Sequence, residues 1–159
     1  MPAPPPPDAE RHLASLLRAT GAFVLLAIVP LWMPGAWIAA THRWLGLGEF
    51  PAAPIAEYLA RSVSALCAFY GGLLVCLSTD VRRYLPLVRY QALAIMALTL
   101  GGVVVGRWAG MPWWFVGSDA VAGWICGGLT LALAGRVDAQ PTPAHGGTAP
   151  GPASDRPRG

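Results

Sequence analysis

Residues Ala19–Thr41 read ATGAFVLLAIVPLWMPGAWIAAT, 23 consecutive positions without a charged side chain. An α-helix rises about 1.5 Å per residue, so about 20 apolar residues suffice to cross the ~30 Å hydrocarbon core of a bilayer. Pro30 and Pro34 interrupt the run. In water they would break a helix. In a membrane they are tolerated as kinks, provided that neighbouring groups satisfy the carbonyls they leave without donors. The stretch therefore predicts a membrane span. A secretory signal peptide is the competing reading: Arg11 and Arg18 form a basic flank, and Ile38-Ala39-Ala40 resembles a small-residue cleavage end. The apolar run exceeds the 7–15 residues of such signals, which favours a retained span.

Three further stretches repeat the pattern. Ser62–Thr79 and Tyr90–Gly106 carry no charge, and Trp113–Gly135 carries only Asp119. The spans are expected at about 19–41, 55–79, 87–106 and 113–135, within a membrane body covering 17–136. A proline-rich tail and helix start precede it over 1–16, and a Pro-, Gly- and Ala-rich tail of disordered composition follows over 137–159. Two connections are short, Asp80–Pro86 and Arg107–Pro112, and short loops make neighbouring helices antiparallel. The expected fold class is all-α: an antiparallel four-helix transmembrane bundle.

Composition agrees. Of the 159 residues, 55% are hydrophobic and 12% charged, where a soluble domain carries roughly a quarter charged. This excludes an ordinary water-soluble globule and leaves no room for a large extramembrane catalytic domain. The net charge of +3 comes from 11 arginines and no lysine. The arginines stand singly or in pairs at the ends of apolar stretches, so they serve topology rather than nucleic-acid binding. With the N-terminus inside, eight arginines fall on the inner side and Arg43, Arg61 and Arg107 on the outer. Both termini are therefore expected in the cytoplasm. Trp37, Trp44, Tyr58, Trp108, Trp113 and Trp114 collect at the expected outer interface, and Tyr84 and Tyr90 at the inner one. Cys67, Cys76 and Cys126 form no C-x-x-C pair, and His12, His42 and His145 lie in three separate regions. No metal site and no cofactor is expected.

Two features stand above this background. Small residues recur every fourth position in Ala60, Ser64, Ala68, Gly72 and Cys76, in Gly102 and Gly106, and in Gly123 and Gly127. Such stripes let helix backbones approach closely, either inside one bundle or between copies. The second feature is a charged constellation toward the outer face: Glu49, Glu57, Arg61, Arg107 and Asp119. Arg61 follows Pro54 by seven residues and Asp119 follows Pro112 by seven, which places both roughly 10 Å below one interface. Asp119 shares a helical face with Gly123 and Gly127. Glu57 stands one turn above Arg61. An unpaired charge at such depth costs roughly 2.5–3.5 kcal/mol, so an Arg61–Asp119 pair is expected, with Glu57 as a second partner. The same three residues are the candidates for an outward-facing polar site. No H-E-x-x-H, G-x-S-x-G or phosphate-loop motif occurs, and no catalytic residue is assigned.

The stretch from Glu49 through Glu57-Tyr-Leu-Ala-Arg61-Ser, continuing into Gly71-Gly72-Leu-Leu and Ser78-Thr-Asp-Val-Arg-Arg-Tyr-Leu-Pro86, resembles a group of small, uncharacterised four-helix bacterial membrane proteins. The likeness covers about Trp44–Tyr90 and implies a four-span inner-membrane protein without assigning an activity. The expectation is a non-enzymatic accessory or structural component of the bacterial inner membrane. Its partners would be the lipid bilayer and a second copy or another membrane protein, with no nucleic acid. The alternative is a small transporter or channel-like protein using Glu57, Arg61 and Asp119.

Overall fold

A computed structural model describes residues 8–139. The proline-rich segment 1–7 and residues 140–159, most of the expected C-terminal tail, lie outside the described residues. The described chain is all helical: α1 (Asp8–Leu25), α2 (Ile28–Trp32), α3 (Gly35–Trp44), α4 (Pro54–Leu77), α5 (Leu85–Trp108) and α6 (Trp113–Ala139). Four stretches, Asp8–Trp32, Pro54–Leu77, Leu85–Trp108 and Trp113–Ala139, are long and apolar enough to cross a membrane.

The first apolar run differs from its expected form. Helix begins at Asp8, within the expected helix start of 1–16, but instead of one kinked span over 19–41 it is divided twice. Pro30 has no N–H to offer the carbonyl of Leu26, which accepts instead from Val29 N at 3.0 Å, a tightened turn. At Met33 the backbone turns extended (φ −68°, ψ 140°), and Pro34 caps a new helix. Residues 35–44 therefore form a helix separate from the membrane-length stretch Asp8–Trp32. The start at Asp8 is supported by Asp8 and Glu10 in the first turn, where carboxylates face the positive end of the helix dipole.

Helices α1 and α4 pack together, α1 also packs on α6, α6 on α5, and the short α2 on α4. The α1–α4 seam sets Ala9, Leu13, Leu17 and Gly21, spaced by four, against Ala68, Gly71, Leu74 and Leu77, spaced by three. Its tightest point joins Gly21 and Gly71. A Cβ on Gly71 would stand 2.5 Å from Leu25 N and 2.7 Å from Gly21 O. The expected small-residue stripe of this helix is thus met only in part: Ala68 is buried in the seam, but Gly71 rather than Gly72 makes the close approach, Gly72 has nothing within 4 Å, and Cys76 is exposed. In α6 the stripe lies where the spacing placed it. Gly123 faces Thr99, and Gly127 faces Met96 and the carbonyl of Ala92, both on α5. Gly106 faces Val116, whereas Gly102 is open.

The apolar core gathers at the end of the bundle holding Leu13, Leu17, Leu74, Leu77, Val81, Leu85, Val88, Ala134 and Val137. Glu10–Arg82 (3.2 Å) and Arg89–Asp138 (2.9 Å) tie the helices at that end. At the opposite end α5 closes in a Schellman turn: Gly110 (φ 72°) donates to Arg107 O and Met111 to Gly106 O, just before Pro112. Around the outside, large apolar side chains face outward: Phe23, Trp32, Leu66, Phe69 and Leu98 are 67–81% exposed.

Candidate functional site

Glu57 and Arg61 are brought together one turn apart on α4, and Asp119 is not brought to them. Arg61 donates from Nε (3.1 Å) and Nη2 (2.6 Å) to Glu57 Oε1. Its remaining reach goes to the helix break. Nη1 donates to Leu31 O at 2.6 Å and Nη2 to Met33 O at 3.0 Å. These carbonyls end α2, where the chain turns extended and no following helical N–H returns to them. The packing of α2 on α4 sets them over the guanidinium, so backbone oxygens take the place expected for the Asp119 carboxylate. The Glu57 carboxylate in turn lies beside the start of α3: a Cβ on Gly35 would stand 3.3 and 3.4 Å from its two oxygens. A negative group is favoured at that helix N-terminus. The Glu57–Arg61 pair thus splints both ends of the interrupted first helix.

Asp119 sits elsewhere: itself exposed, it contributes to the wall of a cavity of about 260 Å³ lined from α1, α4, α5 and α6. Gly123 and Gly127 share its wall, as the spacing of four implied. Asp119 has no ion pair or hydrogen bond among the described residues. Most of the wall is apolar, from Leu17, Phe23, Val24, Leu74 and Ile95. At the other end Tyr70 of α4 donates its hydroxyl to the Gln91 amide oxygen of α5. Asp119 lies two turns beyond Gly127, which faces Ala92, so it stands roughly 12 Å along the bundle from the Gln91 level. Of the two threonines of the wall, Thr20 and Thr130, the latter turns its hydroxyl to Cys126 O.

Glu49 and Arg107, the outer members of the expected constellation, take part in no ion pair among the described residues. No group of three or more metal-ligating side chains occurs among the described residues. Sequence reasoning missed the role of Gln91 and Tyr70 in this cavity. The signal was present, since Gln91 is an amide inside an otherwise apolar run. It also missed the acceptors of Arg61, for which Pro34 was the sign. Comparison with protein-family models, with curated proteins and with solved structures finds no match.

Proposed function

We propose that the chain is a four-span integral protein of the bacterial inner membrane, built as an antiparallel bundle with both termini cytoplasmic, and that it serves as a non-enzymatic accessory or structural component. The observation that carries this reading is the outward-facing girdle of large side chains, with Phe23, Phe69 and Leu98 as examples. In water such a surface would drive aggregation; against lipid it costs nothing. The glycine contacts run in opposite senses on α5 and α6, Gly106 with Val116 and Gly127 with Ala92, as antiparallel neighbours require. The arginine count supports the cytoplasmic termini, with Arg82, Arg83 and Arg89 at the inner turn. Among the ion pairs, Arg89–Asp138 joins α5 to α6 and Glu10–Arg82 ties α1 to the α4–α5 turn, while Arg61, paired with Glu57 on its own helix, holds the end of α2, which suits a scaffold.

The test is accessibility in intact cells. In a background with Cys67, Cys76 and Cys126 replaced by Ala, a membrane-impermeant maleimide should label Gly46→Cys from outside. It should label Arg83→Cys only after the membrane is opened. The reverse pattern would invert the topology, and release of the chain by alkaline carbonate would remove it from the membrane.

The small-transporter reading is favoured by one observation, the cavity at Asp119. Its site is then Asp119 with the walls of that cavity. Glu57 and Arg61 are engaged at the helix break.

A further inference from the structure

We propose that the cavity between α1, α4, α5 and α6 binds a small amphipathic cation, its ammonium group against Asp119 and its apolar body between Leu17, Phe23, Leu74 and Ile95. The proposal rests on the membrane reading above and goes beyond it by naming a ligand class.

The chemistry of the lining selects the class. Asp119 is the carboxylate of the wall, and no cationic side chain among the described residues reaches it. Within a span such a group is expensive unless a counter-charge accompanies it. An anionic ligand would be repelled. A wholly apolar ligand would bury the carboxylate without a partner. A bare metal ion would find a single carboxylate, where hard cations take six or more oxygens. An ammonium group on an apolar stem satisfies the carboxylate and fills the walls together. The volume of about 260 Å³ lies just below the range of about 300–1,000 Å³ of drug-sized pockets, which suits a small arylalkyl amine rather than a lipid. The Tyr70–Gln91 hydrogen bond lies at the other end and already satisfies both groups, so that end asks for no charged partner.

The experiment uses the full chain in phosphatidylcholine nanodiscs, with empty discs as the partition control. Equilibrium dialysis compares phenethyltrimethylammonium with its neutral carbon isostere, (3,3-dimethylbutyl)benzene. The expected result is saturable binding of the cation, about one per chain, at least tenfold tighter than the isostere. Asp119→Asn should abolish that preference. Ala122→Phe, which adds bulk to the wall from an exposed position, should weaken binding of both compounds. Arg107→Gln, outside the wall, should bind like the unaltered chain. Equal retention of the cation by the Asp119→Asn chain, or equal affinity for cation and isostere, would overturn the proposal. So would retention no greater than that of empty discs by a chain firmly held in the disc. A chain that fails to enter the discs at all would overturn the membrane reading, and the proposal with it.

Discussion

Arg61 donates to the carbonyl oxygen of Met33 at 3.0 Å, across 28 residues of sequence, at the break between α2 and α3 in the first apolar run. The same guanidinium holds Leu31 O and Glu57. A proline-broken helix in apolar surroundings leaves carbonyls that those surroundings cannot satisfy, and here one side chain of the neighbouring helix supplies the donors. Arginine suits the task because its planar fork reaches several acceptors at once.

Removing that fork should destabilise the bundle. A carbonyl left without a donor costs about 1–3 kcal/mol, so Arg61→Gln is expected to cost roughly 2–4 kcal/mol in detergent unfolding. Lysine, with its single ammonium, should rescue only part. In a Pro34→Ala background, where helix can continue through the break, Arg61→Gln should cost clearly less. An equal cost in both backgrounds would show that Arg61 does not serve the break.

Arg61 and Asp119 should behave as independent sites. A double-mutant cycle with Arg61→Gln and Asp119→Asn is expected to give a coupling energy below about 0.5 kcal/mol, the additivity of groups without a shared partner. Strong coupling would mean that the two charges meet after all.

The two adjacent glycines of α4 should respond in opposite directions. Gly71→Ala places a Cβ 2.5 Å from Leu25 N, and the backbone there cannot yield cheaply; a loss of at least about 2 kcal/mol is expected, in line with overpacked cores. Gly72→Ala meets nothing within 4 Å and should be neutral or stabilising by up to ~1 kcal/mol, the helix-propensity difference between the two residues. Thermal unfolding of the pair decides the register of the α1–α4 seam.

Across the cavity, Tyr70→Phe removes the hydroxyl that Gln91 receives. The single change should cost about 1 kcal/mol by stranding the amide, and Gln91→Leu should cost a similar amount by stranding the phenol. Replacing both should recover much of the loss, since two apolar groups leave nothing unsatisfied. Additive losses would argue against the hydrogen bond.

The four apolar stretches were legible because length and the absence of charge are read directly from sequence. The helical stretches from Pro54, Leu85 and Trp113 fall within a few residues of their expected positions. The Gly123–Gly127 face was legible as well, since spacing by four names the residues of one helical face and α5 lies against that one. Pairing was not legible. Depth arithmetic set Arg61 and Asp119 at one level, yet level says nothing about azimuth, and α2 stands where α6 was expected.

By itself, the sequence determined that the chain is helical, that it has four membrane-length segments, and that proline must interrupt the first. Those properties follow from local chemistry: absence of charge, helical rise, and a missing N–H. Only the tertiary structure decided that Gly71 rather than Gly72 meets α1, that Arg61 closes the break at Met33, and that Asp119 lines a cavity with no cationic side chain of the described residues beside it. The physical reason is that small apolar helices pack through close backbone contact, and a rotation of one residue, about 100°, changes which side chain meets its neighbour.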